Sequence, residues 1–228
     1  MRKAVLLILV LIGLAAAGCG SSSDDESAAT QTETQTESTA GAGTPECTDT
    51  EVPPAREDGG ATEPKERLDP EKTYDLVVKT NCGTFTITLD QVGAPATAAS
   101  LVALSTDGFF DNTIFHRIVP GFVIQGGDPT QTGSGGPGYK TVDVPPADAA
   151  YTTGVVAMAK SGTESAGTSG SQFFVVTGAD VGLPPDYAVV GTVTSGLDVV
   201  ELIGTFGDPA TEQPTRPIVV ESVMVEEQ

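Results

Sequence analysis

Tyr74-Asp75-Leu76-Val77-Val78-Lys79-Thr80-Asn81-Cys82-Gly83-Thr84-Phe85-Thr86-Ile87-Thr88-Leu89 decides what kind of fold this chain can adopt. Its second half alternates polar and apolar residues, which puts Phe85, Ile87 and Leu89 on one face of a strand. Its first half is rich in Leu and Val, and Asn81-Cys82-Gly83 between the halves supplies turn residues. The stretch reads as a β-hairpin. Downstream, short apolar runs at 113–118, 122–126, 153–158, 172–177, 188–193 and 216–225 read as further strands. Pro95 suits the first turn of a helix, and Ala98-Ala99-Ser100-Leu101-Val102-Ala103-Leu104 continues at helical spacing toward Gly108. A second short helix is expected around Leu197 to Ile203. This pattern predicts a mainly β fold, a closed eight-stranded antiparallel barrel with two helices, because closure leaves no unpaired sheet edge.

Working outward from that hairpin, the composition sets the boundaries. The chain has 228 residues, enough for one ordinary domain plus appendages. None of its 8 Phe and 4 Tyr precedes Tyr74, so the aromatic content needed for a core begins with the hairpin, and the folded domain is expected to span 73–228. Residues 1–18 read as a signal peptide: Arg2 and Lys3 precede the apolar run Ala4 to Ala17, which is too short to span a bilayer comfortably. Ala16-Ala17-Gly18-Cys19 resembles a bacterial lipobox, with Ala16 where Leu is usual. Cys19 is therefore expected to carry lipid and to become the mature N-terminus, placing the protein outside the cytoplasm on the cell membrane. The alternative is an ordinary secreted protein cut near Ala17. Residues 19–72 are Ser-, Thr-, Pro- and acid-rich, with 14 acids against 4 bases, and read as a disordered tether. Acidic lipid would repel so acidic a chain, so membrane attachment falls to the acyl anchor.

Several classes of function are excluded. With 11 Lys and Arg against 31 Asp and Glu, the net charge of −20 leaves no basic surface for nucleic acid. The single His and 3 Cys lack zinc-site spacing, there is no Cys-x-x-Cys, and neither a metal nor another cofactor is implied. His116 has no nucleophile elbow to serve and reads as a packing residue. The Gly-rich 133–138 stretch lacks the Lys-Ser/Thr of a phosphate loop and reads as a flexible rim, with Asp128 capping a turn before it. Cys47 and Cys82 either form a disulfide, which an extracytoplasmic setting permits, or remain two free thiols.

Two segments are denser in specific residue types than a barrel needs. One is Phe115-His116-Arg117-Ile118-Val119-Pro120-Gly121-Phe122-Val123-Ile124-Gln125-Gly126-Gly127-Asp128, the other Ser169-Gly170-Ser171-Gln172-Phe173-Phe174-Val175-Val176. Strand alternation sends Ile124 and Phe173 to the face opposite Gln125 and Phe174, and Phe115 is expected in the core with them, so an arginine, an amide and an aromatic are expected to converge on one patch. Together with Gly108-Phe109-Phe110-Asp111-Asn112-Thr113-Ile114, Gly154-Val155-Val156-Ala157-Met158-Ala159 and Tyr187-Ala188-Val189-Val190-Gly191, these motifs resemble the cyclophilin family of peptidyl-prolyl cis-trans isomerases from about residue 73 to 225. The resemblance implies a barrel with a helix closing each end and a groove on its outer surface. It assigns the catalytic arginine to Arg117 and an orienting role to Gln125, the proline pocket to Phe122, Phe174 and Leu183, and a second groove glutamine to Gln172. Ala159 and Lys160 fall on the edge that binds substrate backbone. Val123 stands where the family often has Met and Tyr187 where it often has His, and the chain has no Trp at all, with Gly182 near the place of the one many members use for cyclosporin.

The chemistry stands on its own terms. Rotation about an X-Pro bond faces a barrier of about 18 to 20 kcal/mol from amide conjugation, and it needs no nucleophile, proton relay or metal. A fixed guanidinium beside an apolar hollow can desolvate the proline ring and stabilise the twisted amide. The expected activity is prolyl isomerisation of secreted or envelope proteins during folding, with proline-containing polypeptides as partners and the protein a monomer. Two other classes share features with this chain: a non-catalytic module that grips proline-containing segments, and a solute-receptor lipoprotein, which needs a larger two-lobed body than this domain offers.

Overall fold

The computed structural model describes residues 45–228. The expected signal peptide, the Cys19 lipidation site and the first part of the tether lie outside the described residues. No helix among those described is long and apolar enough to cross a membrane.

The hairpin forms as its sequence requires: β1 (Tyr74–Thr80) and β2 (Gly83–Leu89) pair antiparallel, with Leu76 opposite Ile87 and Val78 opposite Phe85. These four side chains are buried. The chain continues through α1 (Pro95–Thr106), β3 (Thr113–Ile114), β4 (Arg117–Val119), β5 (Val123–Gly126), β6 (Thr141–Val142), β7 (Val155–Met158), β8 (Thr168–Ser169), β9 (Phe173–Val176), β10 (Val189–Ser195), α2 (Leu197–Gly204) and β11 (Val219–Glu227). Nine strands form one antiparallel sheet in the order β3-β11-β1-β2-β10-β7-β9-β5-β4, and β6 pairs with β8 in a separate ribbon.

The mainly β fold with two helices takes the form of a curled antiparallel sheet of nine strands where a closed barrel of eight is expected. Its first and last strands, β3 and β4, are separated in sequence only by Phe115-His116, so the sheet must bend round until its two ends approach. No ladder is formed between them among the described residues. The physical reason lies in the run 113–118, expected as one strand. It turns a corner at Phe115-His116, so that Thr113 and Ile114 pair with β11 while Arg117 to Val119 pair with β5. One strand thereby becomes two short ones facing different partners.

The main core lies inside the curl, with Phe85, Phe110, Phe115, Ile118, Ile124, Phe173 and Val175 among its buried members. α1 packs against β1 and β11, burying Leu101 and Leu104. Its residue before the first turn, Ala94, offers no capping side chain. The carboxylate of Asp143 accepts instead from the Thr97 N–H at 2.7 Å, taking over a donor that a helix start leaves open. α2 packs against β2, β4 and β5 through Val199, Val200 and Ile203.

Residues 45–72 carry no helix or strand, as their composition predicts, but they are not a free tether. Cys47 is disulfide-bonded to Cys82 in the β1–β2 turn, which settles the pairing the sequence left open. Beyond it, Thr48 N–H donates to Asn81 C=O at 2.8 Å, Arg56 N–H to Pro129 C=O at 2.8 Å and Ala61 N–H to Pro137 C=O at 3.1 Å. Leu68 packs on the main core. Within 19–72, the part from 45 onward is thus a strap on the domain. Main-chain hydrogen bonding is what an apolar-pattern reading of an acidic segment overlooks.

Candidate active site

The groove is built from a single row of the sheet. Arg117 on β4 stands opposite Gln125 on β5, Gln125 opposite Phe174 on β9, and Phe174 opposite Ala157 on β7. Because successive residues of a strand face opposite ways, their neighbours Ile118, Ile124 and Val175 enter the main core. Phe174, Val123, Ala157, Val176 and Tyr151 instead form a second buried cluster on the other face, with Phe122, Leu183 and Tyr187 packed against it. The floor of the groove is thus packed by apolar side chains on both faces of the sheet.

Above that floor lies a hollow of about 280 Å³ lined by Arg117, Phe122, Val123, Gln125, Ala159, Lys160, Phe174, Leu183 and Tyr187. Phe122 is carried at the tip of the β4–β5 hairpin, where Gly121 has φ 69°, a conformation that a side chain would strain. Phe174 and Tyr187 meet edge to face with centroids 5.6 Å apart. Gln172 sits next door, in an adjoining hollow of about 340 Å³ that shares Gln125, Ala159 and Lys160 and includes Gly133, Ser134 and Gly135. Of the ten groove residues expected from sequence, nine line one hollow and Gln172 joins through a hydrogen bond.

The polar groups are oriented by one another. Arg117 Nε donates to Glu212 Oε2 at 2.7 Å and Arg117 Nη1 to Gln125 Oε1 at 3.3 Å. Gln125 Nε2 donates to Gln172 Oε1 at 3.0 Å, and Gln172 Nε2 to the Gly135 C=O at 2.9 Å. Of the five guanidinium N–H groups, three remain without partner among the described residues. Lys160 is pinned below the rim. Its side chain is 3% exposed, and its ammonium lies 2.6 Å from Asp186 and over the Tyr187 ring.

Two functional neighbours escaped the sequence reading. Glu212 comes from the loop before β11, in a stretch with no motif or period that could mark it. Tyr151 donates its hydroxyl to the Tyr187 C=O at 2.7 Å and accepts from the Tyr187 N–H at 3.1 Å, and burial raises its pKa above the usual phenol value. The Gly-rich rim is also tied down more firmly than expected. Asp128 is fully buried and accepts from the N–H groups of Thr130, Thr132, Gly133 and Gly135. Burial pushes its carboxyl pKa up, but those bonds and the Thr130 hydroxyl outweigh burial and hold it below the ordinary value. His116 lies outside the groove, with both ring nitrogens buried and without a partner among the described residues, and burial lowers its pKa despite the charge of Asp128. No cluster of potential metal ligands occurs among the described residues.

Comparison with known proteins agrees with this geometry. The family model described as cyclophilin type peptidyl-prolyl cis-trans isomerase matches residues 75–225. Peptidyl-prolyl cis-trans isomerase B of Streptomyces anulatus is 38% identical over 168 residues, covering 65% of this chain and 94% of its own length. Peptidyl-prolyl cis-trans isomerase A of Mycobacterium tuberculosis is 35% identical over 174 residues, covering 68% and 94%. A crystal structure of a Cryptosporidium parvum cyclophilin type isomerase, determined in the presence of the dipeptide ala-pro, superimposes with a TM-score of 0.61. It is 29% identical and covers 67% of this chain and 98% of that one.

Proposed function

The chain belongs to the cyclophilin-type peptidyl-prolyl cis-trans isomerases and has that activity, and on this premise we propose that it catalyses X-Pro rotation in secreted or envelope proteins as they fold, held at the outer face of the cell membrane by lipid on Cys19. The observation that carries the site assignment is the Arg117–Gln125–Phe174 row bordering the 280 Å³ hollow.

In this reading the proline ring enters between Phe122, Val123, Phe174 and Leu183 and leaves water. Arg117 donates to the ring nitrogen, which becomes a better acceptor as conjugation is lost, while Gln125 holds the guanidinium and can reach the substrate carbonyl. The gain is differential, because the twisted amide accepts a bond that the planar amide does not. A thousandfold acceleration needs about 4 kcal/mol, within reach of one charged donor acting in a partly dry site. Ala159 and Lys160 offer the backbone edge along which an extended substrate can lie. The lipobox, the leader and the disulfide support an extracytoplasmic location.

A protease-coupled or NMR exchange assay on an Ala-Pro peptide tests the site. Arg117→Ala should lower kcat/KM by about a thousandfold if that donor supplies the differential binding. Equal rates for the variant and the parent would reject Arg117 as the catalytic group. Metabolic labelling with a fatty-acid analogue tests the anchor, and label retained in Cys19→Ala would reject it.

A further inference from the structure

The strap lies outside the segment matched by the family model, yet it touches the groove's polar network. Asp58 Oδ1 accepts from the Gly136 N–H at 2.7 Å, and Gly59 N–H donates to the Gly136 C=O at 3.0 Å. The C=O of Gly135 belongs to the same peptide unit as the Gly136 N–H, and it accepts from Gln172 Nε2 at 2.9 Å. One peptide is thus gripped from opposite sides, by a strap carboxylate and by a groove amide. From there the bonds run Gln172 to Gln125 to Arg117.

We infer that Asp58 is a positioning residue for Arg117, acting by fixing which way the Gly135–Gly136 peptide faces. Each amide in the relay must be oriented to suit the one before it. With the Gly135 C=O toward the groove, Gln172 must turn Nε2 to it and Oε1 to Gln125, and Gln125 then presents Oε1 to the guanidinium. Rotating the peptide by half a turn presents an N–H to Gln172 and reverses both glutamines. Two donors, Gln125 Nε2 and Arg117 Nη1, would then face each other. A peptide between two glycines turns over at little steric cost, because glycine accepts either sign of φ. Asp58 forbids the reversed state, in which a carbonyl would face its carboxylate.

Gly136 supplies the control. Its φ is not in the left-handed region, and a Cβ built on it meets no atom within 4 Å. Alanine therefore fits the present backbone, whereas the turned-over peptide needs positive φ at residue 136 and is disfavoured for alanine.

The experiment compares the full processed protein with Asp58→Ala and with Asp58→Ala/Gly136→Ala, by Ala-Pro peptide kinetics and by the side-chain amide NMR signals of Gln125 and Gln172. Asp58→Ala should shift both amide signals and lower kcat/KM about fivefold, the worth of one lost orienting hydrogen bond. The double variant should restore both. Only the kinetic arm rests on the isomerase reading of the groove, so a parent without activity would leave the amide signals to decide. Unmoved signals in Asp58→Ala, or a double variant that behaves like the single one, would overturn the inference.

Discussion

Replacing Glu212 by Gly separates the orientation of Arg117 from the stability of the fold, because the two respond differently. Glu212 has φ 59°, a left-handed conformation that costs a residue with a Cβ about 1 to 2 kcal/mol. Glycine removes that cost, gives back about 0.5 to 1 kcal/mol in unfolded-state entropy, and loses the ion pair. The pair is screened, with side chains 34% and 46% exposed at a separation of 2.7 Å, and contributes at most about 1 kcal/mol. The loop is held by main-chain bonds the substitution keeps, Ile118 N–H to Glu212 C=O at 2.8 Å and Glu212 N–H to Asp208 C=O at 2.7 Å. Urea unfolding should therefore lie between a gain of about 1.5 kcal/mol and a loss of about 1 kcal/mol. Activity should fall regardless. An Arg117 guanidinium freed at Nε keeps only its 3.3 Å bond to Gln125, and losing about 1 kcal/mol of orientation lowers kcat/KM about fivefold. At 1 M salt, where the Debye length is about 3 Å, the parent should fall toward the variant. Equal kcat/KM at low salt would refute the reasoning.

Two further outcomes follow from the same structure. The Cys47–Cys82 bond closes a separation of 35 residues, so Cys47→Ser/Cys82→Ser should lose about 4 kcal/mol of stability by loop closure, read from the urea midpoint. His116 is held neutral by burial, with Asp128 and Arg117 as its charged neighbours. Its folded pKa lies below the ordinary imidazole value of 6.5 while the unfolded chain titrates normally, so the unfolded state binds the extra proton. The stabilising contribution is complete above that value and is lost as pH falls toward the folded pKa. Asp128 also has a lowered pKa, but its contribution is lost only below the ordinary carboxylate range and does not overlap. Unfolding measured at pH 7 and pH 5 should show a smaller loss in His116→Gln than in the parent, and parallel losses would refute the assignment.

What the sequence made legible was what strand periodicity encodes. Ile124 and Phe173 went to the core and Gln125 and Phe174 to the groove because side chains alternate wherever a strand pairs, whereas Phe115 reaches the core from the corner between β3 and β4. The β6–β8 ribbon was missed because two-residue strands have no period to read. The bend at Phe115-His116 shows only as a break of phase: Phe115 and Arg117, two residues apart, would share a face of one continuous strand, yet Phe115 is in the core and Arg117 lines the groove. Glu212, Tyr151 and the strap were hidden because their contributions are single hydrogen bonds made by chain segments distant in sequence, and such bonds impose no pattern on neighbouring residues.

One departure from the usual family residues, Tyr187, fits the side chains around it. Tyr187 brings a hydroxyphenyl ring where an imidazole is frequent, and an aromatic face beside the groove can carry a cation. Lys160 supplies one, with its ammonium 5.5 Å from the ring centroid and 2.6 Å from Asp186. A lysine that deep would be costly alone, but it also donates to the Glu164 C=O at 3.0 Å, so its charge is paired and hydrogen-bonded. Tyr151 completes the arrangement by bonding both backbone groups of Tyr187, which fixes the ring against Phe174. The wall of the hollow formed by Lys160 and Tyr187 is thus held by an ion pair and a tyrosine pair. Changing Tyr187 alone to His would remove the hydroxyphenyl ring that Lys160 faces and leave the Tyr151 bonds to the residue 187 backbone and the Arg117–Gln125 bond intact, so this wall can be altered separately from Arg117.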